Sequence, residues 1–235
     1  MSRIYKNCDE AVNEIERDIM EMGIKVHPHT MQNKVVKDDE NFSTLEVQNY
    51  SFAIMDTSDK DAMVEFVDTN CLPWCKAEFK ERIDEDNTFE NPGEAWKLRK
   101  EVWKEFLNSK GEMDYTYPQR INHYSQLALV INELKKNPDT RQACIMVHYP
   151  EDKRFMQIAR LPCSMYYQLM IRRDKLDIIY NMRSSDFDTH FRNDIWLADE
   201  LRNYIAKKIG IEKGLFHMNI GSLHRYKNYT AKVVF

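Results

Sequence analysis

The sequence predicts a single α/β domain of the α+β kind over residues 1–235, and three observations carry that prediction. Two runs rich in Tyr, Ile, Leu and Met, Ser164–Ile171 and Lys175–Met182, are separated only by Arg172-Arg173-Asp174, which reads as a β-hairpin. Apolar residues recur at helical spacing from Ala11 to Met22 and again from Ile195 to Ile209, each run ending at a glycine, Gly23 or Gly210. The chain of 235 residues is long enough for one sizeable core, and neither an internal repeat nor a low-complexity linker divides it.

Taken in order, Asn7 or Asp9 can cap the first helix, whose face of Ala11, Ile15, Ile19 and Met22 suits packing on a sheet. The polar stretch His27–Lys34 reads as a loop before a strand at Thr44–Ile54, and its two histidines as solvated rather than metal-bound. From Asp61 to Leu107 the chain is acidic and helical in tendency, with a turn at Asn91-Pro92-Gly93. A helix is expected from about Tyr124 to Lys136, stopped by Asn137-Pro138-Asp139, and then a strand at Ala143–His148. After the hairpin, Ser184–Arg192 reads as a polar loop and Asn193–Ile209 as a helix. The last strand is expected at Leu215–Ile220, followed by Gly221-Ser222-Leu223-His224-Arg225-Tyr226.

Composition narrows the function. A hydrophobic content of 43% and a formal charge of −4 are those of a water-soluble globular protein without a general basic surface, so nucleic acid is an unfavoured partner and any anion must meet a local arginine cluster. No apolar run approaches the roughly 20 residues of a membrane span, and the N-terminus lacks the apolar core of a signal peptide, so the expected location is cytoplasmic. Five cysteines form no disulfide framework, Cys71 and Cys75 lack a second ligand pair for zinc, and six glycines leave no phosphate loop. No metal is expected.

The candidate nucleophile is Cys163, in Arg160-Leu161-Pro162-Cys163-Ser164. A thiol attacks carbon as its thiolate, which nearby arginines favour, although a cysteine beside aromatics is by itself more often a buried packing residue. The hairpin sets Cys163 at the start of one strand and Arg183 at the end of its antiparallel partner, at the same end of the sheet.

Four segments in order, Asn137-Pro138-Asp139-Thr140-Arg141, Leu161-Pro162-Cys163 with Gln168, Met182-Arg183-Ser184-Ser185-Asp186, and Gly221–Tyr226, resemble the thymidylate synthase superfamily. Asn181-Met182-Arg183-Ser184, Phe191-Arg192-Asn193-Asp194 and Gly221-Ser222-Leu223-His224 are most similar to its phage-type deoxycytidylate 5-hydroxymethylase branch. The resemblance covers roughly residues 100 to 229 and implies a large mixed or antiparallel sheet covered by helices, paired back to back in a homodimer. It implies that Cys163 adds to carbon 6 of a pyrimidine nucleoside monophosphate, so that carbon 5 takes a one-carbon unit from 5,10-methylenetetrahydrofolate. Arg183 and Ser184 would bind the 5′-phosphate, Arg141 would act in trans in the partner's site, and His224 with Tyr226 would bind the sugar hydroxyl. Gln168 lines the substrate side, Trp103, Asp186 and His190 the folate side. Glu78, with Glu81 as its rival, would organise water and proton transfers, assisted by Tyr117.

Asp194, eight residues after Asp186, stands where thymidylate synthases carry an asparagine. A carboxylate only accepts hydrogen bonds, which matches the amino group of cytosine and mismatches the carbonyl of uracil. The expected substrate is therefore dCMP or CMP and the expected product a 5-hydroxymethyl nucleotide. A methylase or hydroxymethylase acting on dUMP, and a non-catalytic nucleotide- or RNA-binding member, are the alternatives. Gln142, Ser164, His190 and Pro118 depart from the family pattern, and the chain's end at Phe235 leaves little of the segment that closes over folate, which favours water as the final reactant.

Overall fold

The structure, a computed structural model, describes residues 3–31, 34–37, 39–65, 71–86, 90–100, 104, 107–155 and 161–226. At its centre is a mixed sheet of seven strands. Strand β5 (Thr44–Ile54) pairs antiparallel with β9 (Glu212–Tyr226), β9 runs parallel to β8 (Lys175–Asp186), and β8 pairs antiparallel with β7 (Ser164–Arg172). The edges are the short β6 (Cys144–Met146) beside β7, and β1 (Arg3–Tyr5) and β2 (Ile24–Val26) beside β5. A two-residue pair, β3 (Thr30–Met31) and β4 (Lys34–Val35), lies in the stretch read as a loop.

The β7–β8 hairpin is tight because Arg173 and Asp174 both take positive φ, 53° and 59°, as a two-residue connection requires for strands of right-handed twist. Helix α1 (Cys8–Met22) starts at Asn7, whose side chain accepts from the Glu10 N–H, and buries Ala11, Ile15 and Ile19 against β5. Helix α7 (Phe191–Ile209) crosses from β8 to β9, buries Ile195, Trp196, Leu201 and Ile205, and ends on Gly210 at φ 81°. Between β5 and β6 lie α2 (Lys60–Glu65), α3 (Cys71–Arg82), α4 (Glu94–Leu98), α5 (Tyr117–Asn122) and α6 (Gln126–Lys136). Among the described residues the acidic helical stretch holds the helices α2, α3 and α4. Helix α6 begins two residues later than its pattern predicts because Tyr124 and Ser125 have positive φ.

Two strands run further than alternation indicates. Strand β8 continues to Asp186 and β9 to Tyr226, so Ser184-Ser185-Asp186 and Gly221–Tyr226 are sheet rather than loop. Gly221 permits this: a Cβ there would lie 2.8 Å from the Arg183 carbonyl oxygen. Among the described residues no helix is long and apolar enough to cross a membrane.

Candidate active site

The hairpin brings Cys163 and Arg183 together as its register requires. The Arg183 N–H donates to the Cys163 carbonyl at 2.9 Å, extending the β7–β8 ladder by one bond. The Arg183 guanidinium folds back over the approach to β7, with Nε donating to the Pro162 carbonyl and Nη2 to the Leu161 carbonyl, both at 2.9 Å. It thereby fixes the turn that carries the cysteine. Nη2 also lies 3.7 Å from Cys163 Sγ, and Ser184 Oγ lies 3.6 Å from it. Two donors directed at one sulfur, one of them cationic, suit a sulfur that carries negative charge. Arg160 lies outside the described residues.

Beneath this pair the polar groups continue into the sheet. Ser164 Oγ and Tyr180 Oη share a hydrogen bond, and the Tyr180 ring stacks on Tyr167 at 4.5 Å and 19°. Burial, and next the proximity of Tyr167 and Asp194, push the Tyr180 phenol well above its ordinary pKa. Ser185 Oγ donates to Asp194 Oδ2 at 3.3 Å, so β8 orients the candidate base-reading carboxylate on the first turn of α7. A backbone bond from the Asp194 N–H to the His190 carbonyl, 2.8 Å, starts that turn.

The end of β9 closes another side. Asp186 and His224 are register partners on β8 and β9, and the His224 and Tyr226 rings meet edge to face at 5.8 Å. Burial, then the proximity of Asp186, holds the Tyr226 phenol above its ordinary pKa. Burial also pushes the Asp186 carboxyl up, opposed by His224 and by bonds from the following turn. Its Oδ2 is buried without a hydrogen-bond partner among the described residues. Arg225, between His224 and Tyr226, forms a two-bond pair with Asp188 (2.7 and 3.1 Å) and reaches Glu16 of α1 at 2.8 Å. That clamp ties the Asp186–His190 turn to β9.

The two candidate glutamates separate. Glu81 accepts from the Ala95 N–H at 3.0 Å and so caps α4, and burial raises its carboxyl. Glu78 instead pairs with the buried Arg82 at 2.9 Å, whose guanidinium lies 4.7 Å from the Tyr117 ring centre and 3.5 Å from Tyr167 Oη. Arg82 was not singled out from the sequence, although its i,i+4 spacing from Glu78 is a readable signal.

Arg141 stands apart. Gln168 Nε2 donates to its carbonyl at 2.9 Å, and Gln168 is five residues along β7 from Cys163, about 16 Å at roughly 3.3 Å per residue. Arg141 itself is exposed. Trp103 lies outside the described residues. Cys71 and Cys75, one turn apart on α3, are both buried.

Comparison with known proteins gives the same fold and its family. Solved structures of thymidylate synthases share the fold: thymidylate synthase A from Bacillus subtilis at a TM-score of 0.72 (21% identity, 93% of this chain and 80% of that one), and the T4 phage enzyme at 0.67 (20% identity, 92% and 76%). A family model described as thymidylate synthase matches residues 90–234. The chain belongs to the thymidylate synthase family. Among curated relatives, a thymidylate synthase from Listeria innocua is 31% identical over 156 residues, covering 66% of this chain and 46% of that protein. The deoxycytidylate 5-hydroxymethyltransferase of Enterobacteria phage T4 is 30% identical over 158 residues, covering 59% and 60%. The chain thus matches about half the length of the Listeria protein.

Proposed function

We propose that this protein is a folate-dependent one-carbon transferase that hydroxymethylates carbon 5 of a cytidine monophosphate, dCMP or CMP, and that it works as a cytoplasmic homodimer. The observation that carries the reading is the convergence of Arg183 and Ser184 on Cys163 Sγ, with Asp194 held by Ser185 on the next strand position. The 30% identity to the phage deoxycytidylate 5-hydroxymethyltransferase supports the same substrate class.

In this mechanism the phosphate dianion takes the Arg183 guanidinium and Ser184 hydroxyl, joined by Arg141 of a second copy. His224 and Tyr226 hold the sugar hydroxyl and Gln168 lies on the substrate side. Asp194 accepts from the exocyclic amine of cytosine, which presents carbon 6 to Cys163. Addition of the thiolate to carbon 6 moves the ring's π electrons toward carbon 5, which then bonds the one-carbon unit. Methylenetetrahydrofolate supplies that unit at the oxidation level of formaldehyde. Asp186, with a buried carboxylate oxygen lacking a partner among the described residues, would fit the N–H donors of its ring system, with His190 and, by the family resemblance, Trp103 as the other residues proposed to hold it. Tyr117 assists removal of the carbon 5 proton, and with its loss tetrahydrofolate would depart with the electrons of its bond to the one-carbon unit, leaving an exocyclic methylene on carbon 5. Glu78 holds the water that adds to the exocyclic methylene, and departure of Cys163 restores the aromatic ring.

The test is tritium release from carbon 5 of labelled dCMP, CMP and dUMP with methylenetetrahydrofolate, followed by analysis of the product. Release from a cytidine nucleotide with a 5-hydroxymethyl product is expected. Release from dUMP alone points to the uracil methylase reading that the Listeria relative favours, and binding without release to a non-catalytic family member.

A further inference from the structure

The geometry points to Arg82 as the positioning residue that locks Glu78 and Tyr117 to the strand carrying Cys163, an inference that rests on the reaction proposed above. Its side chain is 5% exposed and sits where three elements converge. On its own helix, α3, Nε donates to Glu78 Oε1 at 2.9 Å. Toward α5, the guanidinium carbon lies 4.7 Å from the centre of the Tyr117 ring, and Asn122 Nδ2 holds the Arg82 carbonyl at 3.0 Å. Toward β7, Nη1 reaches Tyr167 Oη at 3.5 Å, and Tyr167 stacks on Tyr180, which is bonded to Ser164, the residue after Cys163. A chain of contacts therefore runs from the glutamate through Arg82, Tyr167 and Tyr180 to Ser164 beside the nucleophile.

A buried guanidinium is costly to desolvate unless its donors are met. Burial works against the charge here, and the Glu78 carboxylate paired with the guanidinium opposes it. A leucine or methionine would pack this position without that desolvation cost. What an arginine adds is a fixed direction for the carboxylate and a flat cationic surface against the Tyr117 ring. Small misalignments of such groups cost rate rather than binding, because the phosphate and sugar contacts are made elsewhere.

The test compares wild type, Arg82→Met, Arg82→Lys, Glu78→Gln and the double variant Glu78→Gln/Arg82→Met, which removes both buried charges and guards against misfolding of the single one. Tritium-release kcat and the nucleotide Kd are measured on proteins whose circular dichroism is that of wild type. Arg82→Met is expected to lower kcat on the order of 10- to 100-fold with Kd nearly unchanged. Arg82→Lys should recover part of that loss, and the double variant should be no slower than Glu78→Gln. A folded Arg82→Met with wild-type kcat, or a double variant slower than Glu78→Gln by the full Arg82→Met factor, overturns the inference while leaving the reaction standing. Absence of tritium release by wild type with every nucleotide overturns the reaction itself, and the inference with it.

Discussion

Replacing Asp194 by asparagine should exchange the base preference while leaving the site intact. Ser185 Oγ donates to Asp194 Oδ2 at 3.3 Å, and an asparagine can present its carbonyl oxygen to the same hydroxyl, so the side chain keeps its direction. The other terminal atom then changes from an acceptor to an N–H donor. Facing cytosine, that donor meets the exocyclic amine and leaves both unpaired; facing uracil, it meets the carbonyl. An unpaired buried polar group costs about 1–3 kcal/mol, and 1.4 kcal/mol is about tenfold, so kcat/KM for dCMP should fall roughly 5- to 150-fold. The value for dUMP should rise by a comparable factor, carrying the ratio of the two across several decades. The assay is tritium release from each nucleotide under subsaturating conditions. An unchanged ratio, with total activity retained, refutes the base-reading role of Asp194.

Other perturbations test the scaffold around the site. Arg225→Ala removes the two-bond pair to Asp188 and strands a largely buried carboxylate; charged hydrogen bonds are worth about 1.5–3 kcal/mol, so Tm should fall by roughly 3–12 °C in thermal unfolding, and nucleotide Kd should rise as the Asp186–His190 turn loosens. Asp199 is fully buried against Arg202, Lys213 and Lys60. Burial alone would raise its pKa, but those three cations outweigh it and hold the carboxyl below its ordinary 3.8. The unfolded chain then takes up this proton first, so the stability Asp199 contributes is fully present above about pH 4 and is lost as pH falls through its folded pKa. Asp199→Asn should cost about 3–5 kcal/mol in urea unfolding at pH 7, and that difference should shrink below pH 4.

Much of the fold was readable because local pattern and tertiary contacts agree. The β7–β8 hairpin follows from two β-rich runs and a two-residue turn, and α7 from one apolar stripe. Where they disagree the sequence misleads. Gly221 to Tyr226 breaks alternation with Gly, Ser and two charged or polar rings, yet it stays extended because β9 is flanked by β5 and β8 and is paired on both sides. The three-residue β1 and β2 are too short to leave a periodic signal.

The site divides in the same way. Cys163 beside Arg183 is a register argument that two strands suffice to make, and the structure places the two side chains 3.7 Å apart. Asp194 stands out because its chemistry differs from an amide, but its support by Ser185 depends on how α7 docks. Arg82 and Arg225 do not stand out in the sequence: the i,i+4 spacing of Arg82 from Glu78 is readable, but in a chain with 31% charged residues an arginine next to carboxylates looks solvated. Only the packing of α3, α5 and β7, or of α1 on β9, reveals that each is enclosed. Glu78 came from family likeness, and its separation from Glu81 required seeing which one caps α4.

The central claim is that Cys163 activates carbon 5 of a pyrimidine nucleotide. It is tested most directly by comparing wild type with Cys163→Ala for tritium release from labelled dCMP and, in parallel, for dCMP binding by calorimetry. Release by wild type and none above background in the variant are expected, with a Kd changed by less than about threefold because Arg183, Ser184 and His224 still hold the nucleotide. Release by Cys163→Ala at the wild-type rate would contradict that claim.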